Sequence, residues 1–411
     1  MRLVSAPAVV PMSMPFGGPP WIADGAVALD EDDVVRAVGP RAELRRRFAD
    51  APEERGEGAL LPGLVNAHTH LELSDLAGQV PGGEGLVAWA TACMRAGAEH
   101  TPEQHRDAAM GAAAEAVRLG TAAVGDVSNS LASLPGIAAA GLRGTIFHEL
   151  LGSRDAATGD ALADAARERA LVSKKQPWPV GLGYVPAPHA PYSAHPRLIQ
   201  RIFETAARTG LPTSVHVAED PDELALLRDG SGRWRPVLEA MGVEVGARVP
   251  RREPVQYLAG LGAFAGPAPP LLVHMVHASA NDRRLAKNAG ATVVLCPRSN
   301  RHIGGRLPDV PALLAEGIAL ALGTDSLAST PDLSLFGEIA ALHAAFPDVP
   351  PEIWLSAATS GGARALRLEP CGALTPGRRP GLIDVAVADP AAPLESLVRE
   401  PRPPIRWIAR P

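Results

Sequence analysis

The rhythm of apolar and polar positions changes near residue 60. Before it, short apolar stretches at Ala26–Leu29 and Val34–Val38 are broken by Pro, Gly and acidic residues. That pattern predicts small β-structure, with one charged helical piece near Arg41–Phe48. From Leu60 onward, short apolar runs alternate with Ala-rich segments of helical period. The runs predict buried strands at Leu64–His68, Thr121–Asp126, Leu142–Phe147, Val180–Val185, Thr213–Val217, Leu271–His274, Thr292–Leu295 and Ile318–Leu322. Eight strands separated by helices predict an α/β fold and match the count of a (β/α)8 TIM barrel. One helix carries its punctuation openly: Thr101 as N-cap, Pro102 at the first helical position, Gln104 completing a capping box and Gly120 at the far end. Residues 71–100 and 219–270 are longer excursions after the first and fifth strands, where a barrel builds lids and specificity elements. Leu374–Ala388 again reads as β-structure and is expected to pair with the N-terminal strands.

Composition narrows the class. A chain of 411 residues accommodates a barrel of about 250 residues plus a smaller appendage. Hydrophobic residues at 46% and charged residues at 20% supply a substantial core. A net charge of −6 with 4% aromatic residues gives no footprint for nucleic acid, and Arg45, Arg46 and Arg47 read as a solvated helix face. No apolar run approaches the ~18 residues of a membrane helix. Pro7, Pro11 and Pro15 interrupt any segment of signal-peptide type. Cys93, Cys296 and Cys371 are odd in number and far apart, so they form neither a disulfide framework nor a CxxC site. A reducing, cytoplasmic setting follows as the expectation.

Candidate chemistry gathers at the strand ends. His68 and His70 close the first strand, and residues at i and i+2 share a face. Two neutral imidazoles on one face suit zinc, iron or nickel. His216 ends the fifth strand, His274 the sixth, and Asp325 follows the eighth; in a barrel these ends converge. Asp325 can ligate a divalent ion through one oxygen and accept a proton from its water through the other, since coordination lowers that water's pKa toward ~7. Glu219, three residues past His216, is the candidate proton shuttle. His274 is either a fifth ligand or an electrophile polarising the substrate, with His277 a structural or supporting neighbour. His148 and Glu149 form another polar strand end, open to a site role or a structural hydrogen bond. The region after the fourth strand, GLGYVPAPHAPYS, has no lysine to bridge two metals. The chain's only lysines are Lys174, Lys175 and Lys287, so one metal is expected.

The runs LPGLVNAHTHLELS, SVHVAED, LVHMVHAS, LCPRSN and LGTDSLAS together resemble the amidohydrolase superfamily, from about Leu60 to Ala388. Within it they are most similar to the mononuclear branch of guanine, methylthioadenosine and S-adenosylhomocysteine deaminases. The resemblance implies a barrel over residues 61–371 with a small flanking β-sandwich formed by residues 1–60 and 372–411. It implies one divalent metal, zinc first and iron second, bound by His68, His70, His216 and Asp325, with Glu219 and His274 assisting. HTHLELS (with Glu72), HAPYSAH and CPRSN resemble the aminodeoxyfutalosine deaminases, which act on an adenine nucleoside. By the same analogy Arg143 and His189 are candidates for the sugar, while Arg298 and Asn300 line the base pocket or brace the loop. Relatives often carry His where this chain has Leu295, and Cys296 is read as packing. The same site chemistry also suits hydrolysis of a cyclic amide or displacement of a halide. Small-molecule substrates are implied, and dimers are common among relatives.

Overall fold

The strand-helix alternation that the apolar runs predict is present in the computed structural model, which describes residues 1–13, 20–152, 154–172 and 178–411. Pro15, Lys174 and Lys175 lie outside the described residues. The chain opens with β1 (Arg2–Val9), β2 (Ile22–Leu29), β3 (Val35–Pro40), a helix at Arg41–Arg47, β4 (Glu53–Arg55) and β5 (Ala59–Pro62). There follow β6 (Leu64–Thr69), β7 (Thr121–Ser128), β8 (Arg143–Leu150) and β9 (Leu182–Pro188), a four-stranded parallel sheet. A second such sheet comprises β10 (Ser214–Val217), β11 (Leu271–His274), β12 (Thr292–Leu295) and β13 (Ala319–Leu322). Finally β14 (Leu382–Val385) and β15 (Ile405–Ala409) join β1–β5 in one mixed sheet ordered β15-β14-β5-β1-β2-β3, with β4 on β1. The C-terminal pairing expected from sequence is made by β14 on β5, Ile383 opposite Leu61.

All eight candidate strands exist, and β11 and β12 have the expected bounds. Strands β6 and β7 are buried along their whole length, the condition under which a parallel strand reads as a continuous apolar run. Four strands, β6 to β9, continue beyond the apolar run that announces them. In β8, His148 and Glu149 still pair with Pro186 and Ala187 of β9. At the other end Val180 is 99% exposed and Gly181 has φ +83°, so the turn into β9 takes up the first two residues expected in it. The Thr101 capping box forms, with Thr101 N–H on Gln104 at 2.7 Å and Gln104 N–H on Thr101 Oγ1 at 3.3 Å.

The two parallel sheets touch along both outer edges. Thr69 of β6 bridges to Asp325, whose N–H donates to His68 O at 3.1 Å. On the other side Thr213 Oγ1 donates to Pro186 O at 2.7 Å, and His216 N–H to His189 O at 3.0 Å. The two long excursions pack on each other: Leu86 and Val87 of the first meet Leu226, Trp234 and Leu238 of the second. Asp220 ties them further by accepting Leu86 N–H at 3.0 Å.

Two packing details position the strand ends. Gly323, just after β13, lies so close to β6 that a Cβ there would sit 2.6 Å from His68 O and 2.7 Å from His68 Cβ. Arg298, in the helix Pro297–Gly304, donates to Glu338 Oε1 at 2.6 Å, Asp332 Oδ1 at 2.8 Å and the carbonyls of Asp332 and Ser334. Glu338 is fully buried in the helix Leu335–Ala345.

Gly323→Ala is therefore expected to cost about 1–3 kcal/mol, the usual range for forcing an extra methyl into a packed interior, measured by urea unfolding. Arg298→Met, which leaves the Glu338 carboxylate buried without its partner, is expected to cost roughly 3–5 kcal/mol in the same assay. A midpoint unchanged by Arg298→Met would show that this ion pair does not brace the fold.

Candidate metal centre and catalytic cavity

The C-terminal ends of the parallel strands bring His68, His70, His216, His274 and Asp325 together. Ligand atoms of His68, His70 and Asp325 lie within 4.8 Å of one another, as do those of His68, His216 and His274. His70 Nε2 is 3.2 Å from His216 Nε2 and 3.8 Å from Asp325 Oδ1. The His68 ring stands edge-on to both, 4.9 Å between centroids in each case. His68 is fully buried, and neither of its ring nitrogens has a hydrogen-bond partner among the described residues. Buried imidazole nitrogens without partners are costly, and a divalent ion is the partner that three convergent imidazoles and one carboxylate fit. Burial also lowers the imidazole pKa values, to about 3 at His70 and about 4 at His216, which keeps the rings neutral as ligands must be.

The ligating geometry is held from behind. His216 Nδ1–H donates to His189 O at 2.9 Å, leaving the Nε2 lone pair directed at the cluster. Glu149 Oε1 lies 3.3 Å from the same Nδ1, and Asn129 Nδ2 donates to the other carboxylate oxygen, Oε2, at 3.0 Å. Asn129 N–H donates to Glu72 Oε1 at 2.5 Å, and Glu72 Oε2 also receives the hydroxyls of Ser128 and Ser130 at 2.6 and 2.8 Å. Asp325 accepts Ser299 Oγ at 2.5 Å on one oxygen and Ser326 N–H at 2.8 Å on the other.

Glu219 faces His274 across the cluster, Oε1 to Nε2 3.5 Å. Burial pushes the Glu219 carboxyl well above the usual range, and the nearby carboxylate of Asp325 adds to it. His274 Nδ1 accepts from Asn300 Nδ2 at 2.9 Å, which puts the ring proton on Nε2, toward Glu219. Glu223 fixes the backbone here by accepting the N–H groups of Ala218 and Glu219, both at 3.0 Å.

These groups form the floor of a cavity of ≈ 500 Å³. Its walls are the two excursions: Leu73, Trp89 and Met94 on one side, Trp234, Leu238 and Met241 on the other. Of the residues suggested for substrate, His189 lines this cavity, with its Nδ1 2.5 Å from Ser193 Oγ. Asn300 reaches it only through His274 and faces an adjoining cleft. Two suggestions are corrected. Arg143 begins β8, whereas the cavity meets Glu149 near that strand's far end, about 20 Å on at ~3.3 Å per residue. Arg298 is committed to Glu338 and Asp332 and braces its helix instead of lining the cavity. Alternation along β8 resolves the His148–Glu149 pair: Glu149 faces the cluster, while His148 Nδ1 meets the Tyr184 hydroxyl at 2.6 Å. His277 lines the adjoining cleft, and Cys296 is wholly buried. Asn129, in a loop, and Glu223 and Ser299, in the first turns of short helices, escape the sequence reading because a single polar residue carries no periodic signal.

The sequence model of the amidohydrolase family matches residues 59–403. An aminodeoxyfutalosine deaminase of Deinococcus radiodurans is 35% identical over 351 residues, covering 83% of this chain and 81% of that protein. A 5-methylthioadenosine/S-adenosylhomocysteine deaminase of Nitratidesulfovibrio vulgaris is 32% identical over 382 residues, covering 90% and 81%. In fold the chain is similar to Helicobacter pylori aminofutalosine deaminase in complex with methylthio-coformycin, with a TM-score of 0.83 at 22% identity, covering 100% and 98%. It is also similar to an adenosine deaminase of Xanthomonas campestris with bound zinc, with a TM-score of 0.79 at 26% identity, covering 100% and 92%. The matched span, together with a relative 35% identical over most of both chains, establishes that this chain belongs to the amidohydrolase family.

Proposed function

We propose that the protein is a metal-dependent deaminase that hydrolyses the amine of an adenine nucleoside, with aminodeoxyfutalosine the first candidate. The observation that carries this reading is the buried Glu219–His274 pair standing against the His/Asp cluster on the cavity floor. The 35% identity to the Deinococcus radiodurans deaminase supports the choice of substrate. The eight parallel strands make up a (β/α)8 barrel over residues 61–371, flanked by a β-sandwich unit of residues 1–60 and 372–411. The hydrogen bonds along both outer edges of the parallel sheets support the first part, and the pairing of β14 with β5 supports the second.

His68, His70, His216 and Asp325 hold one divalent ion, taken to be zinc from the His-rich donor set. When bound, that ion supplies Lewis-acid activation of water at neutral pH. Asp325 receives the proton that this water gives up. Glu219, kept protonated by its burial, delivers a proton to the departing nitrogen, and the Nε2–H of His274 steadies the oxygen added to the ring. The carbon–nitrogen bond breaks as the added hydroxyl becomes the carbonyl and its proton passes to the adjacent ring nitrogen, so water and amine become a ring carbonyl beside a ring N–H and ammonia. The proton held on Asp325 restores Glu219. His189 and the apolar walls orient the nucleoside. Three unpaired cysteines accord with a cytoplasmic setting.

Purified protein is expected to carry about one metal ion per chain, the stoichiometry of a three-His, one-carboxylate site. A chelator should abolish activity, and added zinc should restore it. Ammonia release from aminodeoxyfutalosine, adenosine, methylthioadenosine, S-adenosylhomocysteine and guanine checks the substrate class. Glu219→Gln should keep its metal while losing about 10²–10⁴ in kcat, the worth of a positioned proton donor. A metal-loaded protein that releases no ammonia from any of these amines would overturn the deaminase reading.

A further inference from the structure

Glu219 lines two hollows. One is the large cavity above the His/Asp cluster; the other is a separate cleft of ≈ 270 Å³. The cleft lies between the loop Gly83–Gly85, Asp220 at the start of the helix Pro221–Asp229, Val276 and His277 after β11, and the end of the helix Pro297–Gly304. Its walls are mixed, with Glu84, Asp220, Arg233, His277, Asn300 and Arg306 set among glycines and the apolar Pro221, Val276 and Ile303. The large cavity, by contrast, is walled mainly by Leu, Trp and Met side chains. Asn300 is 3% exposed, and its Oδ1 has no hydrogen-bond partner among the described residues, although its Nδ2 is engaged by His274. An unpartnered buried acceptor calls for a donor.

We infer that this cleft receives the ammonia and conducts it to solvent while the deaminated nucleoside still fills the large cavity. The inference rests on the deaminase reading. When the carbon–nitrogen bond breaks, the nitrogen takes its last proton from the Glu219 carboxyl and leaves as NH3, with the carbonyl oxygen retained on the base. Ammonia has three donors and one acceptor, and Glu219 and Asn300, whose Oδ1 has no partner among the described residues, both line the cleft. A departing base amine at the floor of the large cavity lies beneath the nucleoside, which closes that way out. Ala218, His274 and Met275, with φ of +52°, +74° and +52°, turn the two strand ends so that Glu219 stands between the hollows and His274 faces it from the large cavity.

The order of product release tests this. If ammonia leaves first by its own route, the deaminated nucleoside is the last product off and inhibits competitively against substrate. If both products share the large cavity, the nucleoside must leave first and inhibits noncompetitively; that pattern overturns the inference. Gly304 lines the cleft, and a Cβ there would meet nothing within 4 Å, which makes Gly304→Phe the variant for obstructing it. The plug is expected to lower kcat about tenfold through product release, with single-turnover conversion of the base unchanged and Gly304→Ala behaving as wild type. A plugged enzyme with unaltered kcat, or one slowed equally in a single turnover, argues against the route. Absence of ammonia from every nucleoside would instead remove the deaminase reading, and this inference with it.

Discussion

Everything at the catalytic end depends on burying imidazoles and carboxylates together without enough hydrogen bonds to satisfy them. His68 has both ring nitrogens unpartnered, and each such group costs on the order of 1–3 kcal/mol in a protein interior. Burial is the largest cause of every pKa displacement in the cluster. It lowers His70 and His216 and raises Asp325, Glu219 and Glu149, the last to about 7. A dry site thus drives both kinds of group toward their neutral forms. A divalent cation favours the neutral imidazole and the ionised carboxylate. The donor set is therefore selective: it suits a cation more than it suits a proton.

Holding such a cluster requires a backbone that pays for strain elsewhere. Ala218, His274, Met275 and Asp325 all have positive φ, a conformation that costs a non-glycine residue about 1–3 kcal/mol. Each lies where a strand turns away from its sheet. Neighbours pin them: Met275 N–H donates to Val217 O at 3.1 Å, His277 N–H to Ala218 O at 2.7 Å, and Asp325 N–H to His68 O at 3.1 Å. The fully buried strands below supply the rigidity, so the strain is concentrated in the last residue or two, where side chains must be aimed.

How far the sequence foretells this follows from what each signal measures. Apolar runs report burial, so the eight parallel strands were legible, and β11 and β12 to the residue. The same criterion stopped β8 at Phe147, because His148 and Glu149 are polar while still in the ladder. The polar residues closing strands β6, β10 and β11 and following β13 were legible as a convergent set, since a repeated βα unit fixes which end they share. Arg143 was misplaced for a related reason: proximity in sequence to a functional strand says nothing about which end of it a residue occupies. Arg298 illustrates another gap. Its partners, Glu338 and Asp332, lie 40 and 34 positions away, and no local pattern in the chain announces that pairing.

The chain from Glu72 through Asn129 and Glu149 to His216 explains why a residue near the first ligands matters at the fifth strand. Glu72 touches no ligand, yet it fixes the loop that carries Asn129, and Asn129 fixes Glu149. Glu149 then shares the Nδ1 side of His216 with the carbonyl of His189. Glu149 and His189 both also line the cavity, so the residues that set the tautomer of His216 are among those that shape it. The cavity wall and the orientation of His216 are therefore mechanically joined on this side of the site. On the opposite side Glu219 and His274 are oriented separately, by Glu223 and Asn300. The two halves of the site can then be tuned independently, which accords with one arrangement of strand ends serving deaminases of different substrates.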